Sequence, residues 1–145
     1  MTIQVKRKKE KYYLRLASKS VNLKLIREFV ARVASEAGFS EDDINKIELA
    51  VDEASSNVVK HAYPEEIHNI EVEVDYDPKS FKVNVRDRGK GFDPSLVPKP
   101  DMEEYLEHYK VGGLGIHIMN SLMDQVEYSI NPGKSNQVTL IKFRK

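Results

Sequence analysis

Between residues 40 and 85 the apolar period of this chain switches from that of a helix to that of a strand, with only a few residues between the two. Ile44, Ile47, Val51, Ala54, Val58 and Ala62 recur at helical spacing and form one apolar face. Ile70, Val72, Val74 and Tyr76, then Phe81, Val83 and Val85, alternate, as strands with one buried face do. A one-faced helix and a one-faced hairpin bury both surfaces most simply by packing on each other. That constraint sets the fold class before any site is considered.

Local signals fill in the rest. Tyr12 to Leu16 reads as a strand end. Ser18 or Ser20 can cap a helix that carries Val21, Leu25, Phe29 and Val33 on one face and ends at Gly38. A second helix starts at Ser40, with Asp43 as a capping-box-like partner, runs to about Ala62 and is stopped by Pro64. Asp77-Pro-Lys-Ser80 is the hairpin turn. Residues 94–110 hold three prolines and read as a long surface loop with a short helix at Asp101 to Tyr109; such loops are usually functional. Gly115 to Met123 is a short helix. Gln125 to Ile130 and Asn136 to Phe143 form a closing hairpin with Pro132-Gly133 in its turn. The predicted fold is an α+β two-layer sandwich, a mixed, largely antiparallel sheet with helices on one face.

Bulk properties exclude several classes. At 145 residues the chain is expected to be one domain over 1–145. Basic and acidic side chains balance at 23 each, so no overall field favours nucleic acid or a membrane surface. There is no cysteine, which excludes disulfides and thiolate chemistry and suits a cytoplasmic setting. No apolar run approaches the ~18 residues of a membrane span. The basic run Lys6 to Lys11 reads as the solvated flank of an edge strand.

Three segments carry chemistry. In the second helix Glu53, Asn57 and His61 follow i, i+4, i+8 and form a polar stripe about 100° from the core face. Asn57 offers a hard carbonyl oxygen to Mg²⁺, which takes few protein ligands beside phosphate and water. Glu53 is placed to deprotonate a hydroxyl or water, and Lys60 to meet phosphate charge. Taken alone, this stripe reads first as an ordinary exposed helix face, because the pattern is common, and His61 as a residue favoured by the helix dipole.

Asp87, at a strand end, precedes Gly89, Gly91 and Phe92. Its carboxylate can accept from an exocyclic amine such as that of adenine, the glycines allow close backbone approach, and Phe92 can pack beneath the loop. Gly112, Gly113, Leu114 and Gly115 open a helix, where free N–H groups face an anion. The spacing is neither that of a P-loop nor that of a dinucleotide fingerprint.

Glu53-x-x-x-Asn57, Asp87-x-Gly-x-Gly-Phe92 and Gly112-Gly-Leu-Gly115, in this order, resemble the GHKL ATPases of the Bergerat fold. The runs Asp52 to Tyr63 and Gly112 to Asp124 resemble most the RsbW-like anti-sigma-factor serine/threonine kinases, over nearly the whole chain. The resemblance implies ATP and Mg²⁺ as cofactors, Asn57 as metal ligand, Glu53 as catalytic base and Asp87 on the adenine amine. It places Gly89 and Gly91 in the adenine pocket, Gly113 and Gly115 at the phosphates, and residues 94–110 as the ATP lid. It implies phosphorylation of a STAS-type anti-anti-sigma protein, sequestration of an RNA polymerase sigma factor and, in many members, a homodimer through the first strand and helix. One departure stands out. Many members have a Gly-Thr pair whose threonine supports adenine binding; here the region reads Ser135-Asn-Gln-Val-Thr139, with Asn136, Gln137 and Thr139 as candidate substitutes. A histidine kinase is disfavoured, since none of His61, His68, His108 and His117 lies on an upstream helical hairpin. A nucleotide-binding module that only sequesters partners is the non-enzymatic alternative.

Overall fold

The computed structural model describes residues 4–8, 11–62, 68–88, 114–131 and 135–144. In chain order these form β1 (Gln4–Lys8), β2 (Lys11–Ala17), α1 (Leu23–Glu36), α2 (Glu41–Asn57), β3 (Asn69–Tyr76), β4 (Ser80–Asp87), α3 (Leu114–Leu122), β5 (Gln125–Asn131) and β6 (Ser135–Phe143). A 3₁₀ turn over Ser20–Asn22 leads into α1, and a π-helical turn over Val58–Ala62 continues α2. The sheet order is β1-β2-β3-β4-β6-β5. The two-layer α+β sandwich with a largely antiparallel sheet is borne out, and all five ladders between described strands are antiparallel.

Strand alternation sorts the sheet into two faces. Leu14 and Leu16 of β2, Ile70, Val72 and Val74 of β3, and Phe81, Val83 and Val85 of β4 are buried. They meet Val138 and Leu140 of β6 and the apolar side of the helices in one core. Helix α1 packs over β2 and β3, α2 over β4 and β6, and α3 against α2. Ser40 caps α2 as expected, accepting from the Asp43 N–H at 3.2 Å, and the acidic residues 41–43 favour the positive end of the helix. In the turn after β3, the Asp77 carboxylate accepts from the N–H groups of Lys79 (2.7 Å) and Ser80 (2.8 Å).

Three expectations change. The buried face of α1 is Ile26, Val30, Val33 and Ala34; of the expected stripe Val33 is buried and Phe29 packs partly buried against the core, while Val21 and Leu25 do not. Val21 is 74% exposed and Leu25 41%, because Val21 falls in the 3₁₀ turn, out of phase with the helix. No side chain caps α1; Ser18 instead accepts from the His68 N–H and so ties β2 to the start of β3. The basic run, expected as a flank, supplies an edge strand: Lys6, Arg7 and Lys8 lie in β1, paired to β2 alone. Gly38, two residues past the end of α1, has a φ of 92°, a left-handed conformation that glycine adopts without steric penalty.

Candidate functional site

The candidate residues whose burial is described lie on α2, on the turn that continues it and at the end of β4, and α2 packs on β4. Ile47, Ala50, Val51 and Ala54 of α2 are buried in the core, and this fixes the rotation of the helix. The polar stripe beside that face is then half inside the protein. Asn57, the last α-helical residue, is only 7% exposed, and Glu53, one turn earlier, is half-buried. The Asn57 carboxamide puts one hard oxygen at the end of α2. No group of three or more His, Cys, Asp or Glu able to hold a metal exists among the described residues. A single carboxamide oxygen is the kind of ligand Mg²⁺ takes from a protein when phosphates and water supply the others.

Directly after Asn57 the helix widens into the π turn. Bonds of the i→i+5 kind change the angular step of the backbone. The His61 side chain lies outside the described residues. Lys60 is exposed on this turn.

Asp87 closes β4 in phase with Phe81, Val83 and Val85, so it sits on the helix-bearing face and is 8% exposed. Its register partner on β6 is Asn136, 3% exposed. The Asn136 Nδ2–H donates to Asp87 Oδ1 at 3.1 Å, and Asn136 Oδ1 accepts from the Asn131 N–H at 3.1 Å. Two polar groups buried beside an apolar core are thus satisfied by each other and by the β5–β6 hairpin.

The same parity disposes of the other two substitutes. Gln137 accepts from Arg86 Nε at 2.6 Å and donates to Thr139 Oγ1 at 3.1 Å. Thr139 donates to Asn84 Oδ1 at 2.7 Å. All of these lie on the face away from the helices, where Arg86 also meets Glu73 at 3.6 Å. Of the three, Asn136 alone shares a face with Asp87 and bonds to it.

Leu114 and Gly115 are the first residues of α3, which packs against α2. Gly89, Gly91, Phe92, Gly112, Gly113 and residues 94–110 lie outside the described residues. A cavity of about 320 Å³ touches Asp87 from the other side and is lined by Arg15, Glu71, Arg86 and Arg88. It opens on the helix-free face and shares only Asp87 with the candidate set. No helix among the described residues is long and apolar enough to cross a membrane.

Comparison with known proteins identifies the family. The family profile described as "Histidine kinase-like ATPase domain" matches residues 16–142. A serine-protein kinase RsbW of Bacillus cereus is 31% identical over 134 residues, covering 90% of this chain and 84% of the relative. One of Bacillus anthracis matches equally, and one of Bacillus thuringiensis is 30% identical over the same coverage. Among solved structures, the RsbU and RsbW domains of a Mycobacterium tuberculosis protein superpose with a TM-score of 0.64 at 18% identity. That match covers 92% of this chain and 33% of the other, so this chain spans a third of the solved one. The histidine kinase domain of a blue-light activated kinase from Erythrobacter litoralis gives 0.50 at 15% identity, covering 79% of this chain and 60% of that one. At these identities the two structures speak for the fold alone.

Proposed function

The chain belongs to the histidine kinase-like ATPase domain family, on its RsbW-like branch, and from that premise we propose that it is a cytoplasmic, single-domain serine/threonine protein kinase. Its substrates are ATP and a small STAS-type anti-anti-sigma protein, and its second task is to sequester a sigma factor until that antagonist displaces it. The observation that carries the reading is the pairing of two ends of one site. A nearly buried Asn57 carboxamide ends α2, and a buried Asp87 carboxylate ends β4 on the face against which α2 packs.

In this reading Asp87 accepts from the adenine amine and fixes the base. Asn57 turns its oxygen toward the phosphate end, where Mg²⁺, when bound, supplies neutralisation of phosphate charge. Lys60 adds a cation at the same end, and the N-terminus of α3 offers N–H groups to a phosphate oxygen. Glu53 takes the proton of the partner's serine or threonine hydroxyl. That oxygen then bonds to the γ-phosphorus, the bond to the β–γ bridging oxygen breaks, and ADP leaves. Catalysis of this kind is mostly positioning and charge stabilisation, which suits a site with one base and few charged groups.

The test is mass spectrometry of the STAS proteins of the same genome after incubation with the protein, ATP and Mg²⁺. One of them is expected to gain a single phosphoryl group on a serine or threonine. ATP binding without transfer to any of them would instead assign the chain to the sequestering, non-catalytic class.

A further inference from the structure

We propose that Asn136 is a positioning residue that holds the Asp87 carboxylate for a 6-amino purine and so sets the preference for adenine over 6-oxo purines. The inference rests on the ATP reading above. A primary amide can present either end to a neighbour, and here the backbone decides which. The Asn131 N–H, held by the β5–β6 ladder, donates to Asn136 Oδ1 at 3.1 Å. The oxygen end is thereby committed to the hairpin, and the Nδ2 end faces Asp87 Oδ1, also at 3.1 Å. A carboxylate offers about four lone-pair sites, and the bond from Asn136 takes one of them. The bond fixes where those sites point.

Both side chains are more than nine-tenths buried, so the arrangement is pre-organised, with little rotation left to a ligand to restrain. A carboxylate so held accepts from a 6-amino group. It repels a 6-oxo group, which brings a second acceptor. Gln137 and Thr139, engaged with Arg86 and Asn84 on the other face, cannot take over.

The chemistry can be inverted one atom at a time. In Asn136→Asp the Asn131 N–H keeps its acceptor, and only the end facing Asp87 changes from donor to acceptor. In the exchange Asp87→Asn with Asn136→Asp, the new amide at 87 donates to the new carboxylate at 136, and its oxygen is again turned to the base. Affinities for ATP and for inosine triphosphate are to be measured by calorimetry on the wild type, Asn136→Ala, Asn136→Asp, Asp87→Asn and the exchange, with thermal unfolding as the check on folding.

The wild type is expected to favour ATP. Loss of one charge-assisted hydrogen bond corresponds to about tenfold in affinity. Asn136→Ala should therefore lose about tenfold for ATP and little for inosine triphosphate, Asn136→Asp and Asp87→Asn at least as much, and the exchange should regain most of the loss. A purely structural role would lower both nucleotides together and show no rescue. An unchanged ATP-to-inosine-triphosphate ratio in Asn136→Ala or Asn136→Asp, or no rescue by the exchange, overturns the proposal while the ATP reading stands. A wild type that binds no ATP overturns both, and does so before any substitution is made. If Asn136→Ala does not fold, the near-isosteric aspartate variants decide.

Discussion

Glu53→Gln is expected to slow phosphoryl transfer by about 10²–10⁴-fold, the usual contribution of a positioned general base, with folding and ATP affinity unchanged. The structure supports that separation. Glu53 is half-buried on α2, and its backbone carbonyl accepts from Ser56 Oγ at 3.2 Å, a contact the substitution keeps. Gln is close to Glu in volume and in helix propensity, and no ion pair among the described residues is lost. The stability change is therefore expected within about 0.5 kcal/mol. The rate loss corresponds to about 3–5 kcal/mol of transition-state stabilisation at 1.36 kcal/mol per decade. The assay is single-turnover transfer from labelled ATP to the phosphorylated STAS protein, beside urea unfolding and an ATP titration of the same preparation. Full-rate transfer by the folded variant would refute the assignment of the base. Loss of ATP binding or of folding would show that the carboxylate is structural.

Other outcomes follow from the same structure. Phe81 is fully buried, edge-on to Phe39 at 5.4 Å and stacked with Tyr76 at 6.3 Å, so Phe81→Ala should cost about 3–5 kcal/mol in chemical unfolding. Ser40→Ala removes the α2 cap and should cost about 1 kcal/mol, which Ser40→Asp largely restores. Burial pushes the Tyr128 hydroxyl up to about 12 from an ordinary 10.0. The folded state thus holds this proton more tightly than the unfolded state. Its stabilising effect is complete below pH 10 and is lost as pH rises toward 12. Unfolding measured across that window should show a downward slope that Tyr128→Phe flattens.

Helix α2 was legible in the sequence because cap, apolar period and stop all agree, and the β3–β4 hairpin because strict alternation leaves one register that buries one face. Helix α1 was less so. Two overlapping apolar stripes share Val33, and packing over β2 and β3 selects the one through Ile26 and Val30. Strand β1 has no apolar alternation to betray it; pairing to β2 makes it a strand. The π-helical turn at Val58–Ala62 carries no local signal in the sequence. Asp87 was legible as a carboxylate closing a strand, but the sequence leaves its neighbour on β6 open among Asn136, Gln137 and Thr139. Only the pairing of β4 with β6 supplies the parity that separates Asn136 from the others.

The central claim is that Asn57 and Asp87 hold opposite ends of one nucleotide. It is tested most directly by titrating ATP and inosine triphosphate, each with and without Mg²⁺, into the wild type, Asn57→Ala and Asp87→Ala. Asn57→Ala should lose the gain in affinity that Mg²⁺ gives while still preferring ATP. Asp87→Ala should lose that preference and keep the gain. If the two substitutions have the same effect, or neither alters nucleotide binding, the two residues do not form the site described.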